Sequence, residues 1–139
     1  SRLDLLHAAV LLYRMEKLCG VIDKRRNNVN LYRELIQAKE VFIPTCKPHE
    51  QNAFVMFIIQ AKRRDKLKEF LDGRGIQTLV YYAKALHLQP AAKRYNYRRG
   101  DFPVAEKQAD EVLALPHHQY LTNDQIKFVS ESINEFYQL

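Results

Sequence analysis

Tyr81 and Tyr82 stand side by side, and His87 follows within the run Leu86, His87, Leu88, Gln89, Pro90. A phenol hydroxyl both donates and accepts, and an imidazole does either, so this set suits recognition of a polar ligand in a loop that follows a strand. His87 has a plainer use as well, as a hydrogen-bonded residue that orders its own loop. Alternation along a strand would send one tyrosine ring into the core and the other outward. A second group lies at 93–99, where Lys93, Arg94, Arg98 and Arg99 flank Tyr95, Asn96 and Tyr97. Cations for phosphates and rings for bases are what a single strand of nucleic acid requires. No RNP or KH signature accompanies them, and a solvated loop explains the same composition.

The remaining reactive residues do not assemble. Cys19 and Cys46 lack CxxC spacing and are too few for a disulfide scaffold, so they read as reduced, small buried hydrophobes of a cytoplasmic protein. His117 and His118 are neighbours, which on a strand would face opposite ways, and no HExxH or CxxC completes a metal site. Glycines at 20, 73, 75 and 100 form neither GxGxxG nor a P-loop, and there is no GxSxG elbow.

These residues must be held by a fold, and the chain has material for one. Its 139 residues, 47% of them hydrophobic, suffice for one domain with a proper core. A net charge of +6 permits an anionic partner without choosing one. No apolar run approaches the ~20 residues of a membrane helix. Residues 5–13 predict a helix apolar on nearly every side, which needs cover on nearly every side. The start at Ser1, without methionine and just before this helix, suggests a piece of something longer.

Gly20 reads as a break, followed by a second helix through Val21, Val29, Tyr32 and Ile36 that ends before Pro44. Residues 53–60 predict a central strand covered on both faces. A helix at 62–71 follows, stopped at 72–75, then a strand at 76–82. Residues 83–100 show no period. Asp101 caps a helix with Pro103 in its first turn, and 112–115 form a short buried strand. Thr122 and Gln125 make a capping box for a closing helix striped by Ile126, Val129, Ile133 and Phe136. The expected class is α+β, a small and largely antiparallel sheet flanked by helices.

Four segments, in order, resemble one family. Ser1, Arg2, Leu3 and Asp4 with Leu6, Ala8 and Ala9 resemble the N-x-R-[LM]-D-x-[LI]-Q-A-A signature that opens the carboxyl-terminal part of the DegT/StrS family of pyridoxal-phosphate-dependent sugar aminotransferases. His7 stands where glutamine is usual. Tyr81 and Tyr82 through Leu86 to Pro90 resemble [HY]-Y-P-x-P-L-H-x-Q-P, with Ala83 and Ala85 in place of the prolines. Residues 100–106 are similar to G-D-F-P-x-A-E. Residues 113–116, with Leu121, Thr122, Gln125, Val129, Ile133, Phe136 and Tyr137, are similar to the L-S-L-P and L-T…Q…V…I…F-Y ending.

The resemblance implies that residues 1–139 are the small domain of such an enzyme and that the segment 1–38 packs on a large cofactor domain and on the partner of a homodimer. It implies pyridoxal phosphate held by a lysine outside this chain, so no catalytic or cofactor-binding residue is expected here and the chain alone is expected inactive. It implies a sugar nucleotide as substrate, aminated at a keto carbon commonly at the expense of glutamate, in surface polysaccharide or related glycan synthesis. Arg2, Tyr81, Tyr82 and His87 are the residues it places near that substrate. The other reading is a stand-alone basic module that binds nucleic acid through 93–99 and the cluster Lys62, Arg63, Arg64.

Overall fold

The computed structural model describes residues 4–47 and 49–138. Helix α5 (Asn123–Gln138) forms where its capping residues predict it. The Gln125 amide donates to the Thr122 hydroxyl at 3.2 Å, and the Thr122 amide donates to the Gln125 side chain at 3.0 Å. Ile126, Val129 and Ile133 are buried, and Phe136 is packed at the edge of the same core.

Around α5 lie α2 (Leu18–Leu35), α3 (Arg64–Gly73) and a sheet of β1 (Val41–Phe42), β2 (Phe57–Ala61) and β3 (Val112–Leu115). The sheet order is β1-β2-β3 and both pairings are antiparallel, with Val41 opposite Ala61 and Ile58 opposite Ala114. Phe57, Ile59 and Ala61 alternate into the core against Leu67 and Leu71 of α3, Leu113 and Leu115 of β3, and Val29 and Tyr32 of α2. Ile58 and Gln60 point to the other side and are only half-buried, so β2 is not covered on both faces as its composition predicts. Helix α4 (Pro103–Glu111) leads directly into β3.

Three polar devices close this core. Asn134 of α5 accepts from the Gln37 and Ala38 amides at 2.9 and 3.2 Å and donates to the Leu35 carbonyl at 2.8 Å, satisfying the end of α2. Tyr32, its phenol pushed upward by burial, donates to the Pro116 carbonyl at 2.9 Å. Arg64, 5% exposed, donates to the carbonyls of Val112 at 2.9 Å and Ala109 at 3.3 Å. α3 ends as its glycines predict: Gly75 takes φ +74, and the Ile76 amide returns to the Leu71 carbonyl at 2.9 Å.

Several expectations are corrected. The break near the start falls at Glu16 and Lys17, and Gly20 lies within α2, because one glycine costs a helix only about 1 kcal/mol relative to alanine. Residues 76–82 are not a strand. Leu79 makes a single antiparallel bridge to Ala114. The next hydrogen-bonded pairs in that register would set Gln77 against Pro116, which has no N–H, and Tyr81 against Val112, whose carbonyl already serves Arg64. Residues 83–100 contain two short 3-10 turns, Leu86–Leu88 and Pro90–Tyr95. Asp101 does not cap α4; its carboxylate accepts from the Arg98 amide at 2.8 Å instead. Cys19 is exposed and Cys46 half-buried, so neither is the small buried hydrophobe expected.

Helix α1 (Leu5–Met15) stands apart from this core. Asp4 caps it by accepting from the His7 amide at 2.9 Å, yet none of its residues is buried. Leu5 is 90% exposed, and Leu6, Leu12 and Met15 are exposed beside it. Among the described residues no helix is long and apolar enough to cross a membrane.

Candidate functional site

A groove of about 590 Å³ opens beside the Leu79–Ala114 bridge. Its walls include Val55, Met56, Leu79, Tyr81, His117 and Phe128. Tyr81 reaches it because the chain abandons the sheet edge after Leu79. Val55, Met56, Leu79 and Phe128 are each about half or more exposed, a grouping of large apolar side chains that water disfavours.

Both tyrosines lie outside the core. Tyr81 is 37% and Tyr82 74% exposed, and their rings meet edge to face at 5.9 Å. The alternation expected of a strand therefore fails at this pair: neither ring is buried. Tyr82 is not part of the groove wall. Arg2 lies outside the described residues.

His87 is placed differently. Its side chain is 7% exposed and its Nε2 lies 2.9 Å from Oε1 of Glu106, which is 8% exposed. Phe102 packs against the imidazole, with ring centroids 4.8 Å apart. The same Glu106 oxygen accepts from the Gly100 amide at 2.7 Å and more weakly from the Phe102 amide at 3.4 Å. Burial pushes this carboxyl up, but the Gly100, His87 and Phe102 hydrogen bonds outweigh it and hold the group below the usual carboxylate range. Gly100 takes φ +103 to present its amide, a conformation that glycine adopts without strain. The segment that follows Tyr81 and Tyr82 is thus pinned to the first turn of α4. Glu106 was visible in the sequence only as one letter of a motif; the signal for its role is a lone carboxylate facing inward one turn into a helix.

His117, which the sequence offers only as half of a histidine pair without a metal motif, lies in the groove wall. Its ring is wedged near Phe54 and Phe57, with centroids 6.5 and 6.0 Å away, and both ring nitrogens are buried without a partner among the described residues. Burial, with the positive field of Arg25 and a smaller one from His118, pushes its pKa down to about 4 despite an opposing backbone contact from Phe54. The imidazole is therefore neutral at pH 7 and offers the groove one polar edge. Among the described residues no group of three or more His, Cys, Asp or Glu side chains is arranged to hold a metal.

Of the other basic cluster, Lys62 and Arg63 are exposed and only Arg64 is taken into the fold. Arg64 is buried against the end of α4, and the Arg63 guanidinium lies 4.7 Å from the ring centre of Phe136.

The chain thus combines an antiparallel three-stranded sheet and helices with an open apolar groove and a tyrosine-bearing loop pinned to α4. The chain belongs to the DegT/DnrJ/EryC1/StrS aminotransferase family, whose profile matches residues 1–134. It is 37% identical to the pleiotropic regulatory protein of Geobacillus stearothermophilus over 99% of this chain and 38% of that protein. It is 33% identical to the dTDP-3-amino-3,4,6-trideoxy-alpha-D-glucose transaminase of Streptomyces venezuelae, over 98% of this chain and 36% of that one. The solved structure of DesV from S. venezuelae, in complex with a ketimine intermediate, superposes with a TM-score of 0.92 at 31% identity, covering 99% of this chain and 38% of that structure. The chain thus spans between a third and two fifths of the length of these relatives.

Proposed function

We propose that this chain serves as the carboxyl-terminal small domain of a cytoplasmic, pyridoxal-phosphate-dependent aminotransferase that transfers an amino group, commonly from glutamate, to a keto sugar nucleotide for glycan synthesis. The observation that supports this most is that motif residues distant in sequence meet in space: the loop after Tyr81 and Tyr82 is fixed by the Glu106 of the next motif. The cofactor's chemistry is to activate the amino group and the substrate carbon through a lysine-bound aldehyde. The described residues do not fit that group by themselves. No lysine lines the groove, every lysine but Lys68 is exposed, and Lys68 pairs with Asp72 at 2.5 Å. No step of the transfer is therefore assigned to this chain.

In this reading Tyr81 and Tyr82 contact the sugar, Arg2 meets an anionic group of the substrate, and His87 acts through the Glu106 pair that fixes their loop. The apolar faces of α1 and of the groove are where a large domain and the partner of a homodimer pack. The test is to express the chain together with any coding sequence upstream of Ser1 and to assay glutamate-dependent amination of keto sugar nucleotides. The reading expects cofactor binding and transfer by the longer product, none by residues 1–139 alone, and a raised KM in Tyr82→Phe. A longer product that binds no pyridoxal phosphate, or transfer by this chain alone, would overturn it.

A further inference from the structure

Between Val80 and Tyr97 the chain carries both tyrosines of the candidate site, and little ties it down. Just before it, Leu79 and Ala114 exchange backbone hydrogen bonds at 3.2 and 2.7 Å, and just after it the Arg98 amide donates to Asp101. Within it the backbone bonds are internal: the Leu88, Gln89 and Ala92 amides donate to the carbonyls of Ala85, Leu86 and Gln89. The Gln89 side chain donates to the Lys84 carbonyl, and Arg94 to the hydroxyl of Tyr95. Turns of this kind shape a loop but do not fix it to the core.

Among the described residues one hydrogen bond joins this segment to another part of the chain, the 2.9 Å contact between His87 Nε2 and Glu106 Oε1. Val80 packs on the core and Ala85 is buried, whereas Tyr82, Lys84 and Leu86 around them are exposed. Phe102 adds ring contacts at the same point, to His87 and to Tyr97. The receiving oxygen is set in advance, because it already accepts from the Gly100 and Phe102 amides. A backbone amide can only donate, so this oxygen is an acceptor and the Nε2 that shares it carries the imidazole proton. Both side chains are buried, which keeps water from competing, and a charged acceptor makes the bond stronger than a neutral one would.

We propose that Glu106 is a positioning residue that works as a single latch: its preset carboxylate accepts one hydrogen bond from the Nε2–H of His87, and that bond sets the fraction of molecules in which Tyr81 and Tyr82 stand ready for a ligand. His87 then serves binding through its donor, not by touching the ligand. A protein whose competent state is partly populated binds more weakly in proportion to that fraction, so opening the latch acts on apparent affinity and leaves the chemistry of the bound state alone. The proposal deepens the sugar-nucleotide reading and rests on it for the ligand that the tyrosines meet.

The experiment is nitrogen-15 NMR on the 139-residue chain. The histidine side-chain spectrum should show His87 protonated at Nε2 at pH 7. His87→Leu, which has no donor, should drop the backbone order parameters of 81–92 from ~0.85 to below ~0.6, while amide exchange around Ile126, Val129 and Ile133 stays as in the parent. His87→Gln, whose amide can donate to Glu106, should keep most of the order, and Glu106→Gln, an acceptor without charge, should fall between. In the longer product that carries the upstream sequence, His87→Leu should raise KM for the keto sugar nucleotide about tenfold with kcat within about twofold, and His87→Gln should recover most of that KM. The proposal is overturned by a proton on Nδ1 alone, by a loop that stays rigid in His87→Leu, by core exchange that speeds up together with the loop, or by a His87→Gln as defective as His87→Leu. The NMR arm needs no pyridoxal phosphate and no upstream lysine. Its failure therefore leaves the transaminase reading standing, and a longer product that fails to bind the cofactor leaves the latch standing.

Discussion

Helices α1 and α5 both carry apolar side chains and both start on a side-chain cap, yet they end in opposite surroundings. α5 buries Ile126, Val129 and Ile133 against α2, α3 and the sheet. α1 buries nothing, and Leu5, Leu6, Leu12 and Met15 face outward. A cap and a periodic stripe decide that a helix forms; what covers the stripe is decided by the rest of the chain. In α5 the stripe has a partner in every neighbouring element. Among the described residues α1 meets chiefly α2, and full burial of a leucine is worth roughly 1.5–3 kcal/mol that α1 does not realise here.

The contrast can be sharpened by substitution. Leu113→Ala, at a fully buried residue of β3, should cost about 2–5 kcal/mol by urea unfolding, whereas Leu12→Ala on α1 should fall within about 0.5 kcal/mol of the parent chain. Comparable losses at the two positions would mean that α1 has a cover of its own. Asn134→Ala should cost about 1–3 kcal/mol, because it removes three hydrogen bonds that tie α5 to the Leu35 carbonyl at the end of α2 and to the Gln37 and Ala38 amides just beyond it. A neutral result there would show that water replaces the asparagine and that α5 does not clamp α2.

The groove should reveal itself through acid. The folded protein holds His117 neutral down to about pH 4, while the unfolded chain takes up its proton near 6.5. The unfolded state then binds more protons between these values, so stability falls as the pH drops from 6.5 toward 4 and the effect saturates below. The site is partly open, and water relaxes some of the penalty, leaving about 1–2 kcal/mol of loss. Unfolding midpoints of the parent and of His117→Leu, compared at pH 7 and pH 4.5, should show this component in the parent only. An equal acid loss in both would place it elsewhere.

How far the sequence foretold this depends on the reach of each signal. The box at Thr122 and Gln125 acts over three residues and was readable. The failure of 76–82 to form a strand was not, because it depends on Pro116 and Arg64, which lie far off in the chain and remove the ladder partners. β1, two residues long, has too short a pattern to register. At the candidate site the motif residues Tyr81, Tyr82 and His87 were legible as a group, but the division between exposed rings and a buried imidazole depends on Glu106, which is nineteen residues from His87. His117 owes its depressed pKa first to burial beside Phe54 and Phe57 and then to the positive field of Arg25, partners that no local window contains.

The central claim is that this chain builds one complete core and leaves the face of α1 uncovered. Native-state hydrogen exchange on dilute residues 1–139 tests it most directly. Amides around Ile126, Val129 and Ile133 should exchange only through global unfolding, and those of Ala8 to Leu12 should exchange orders of magnitude faster through local opening. Protection of α1 equal to that of α5 would contradict the account.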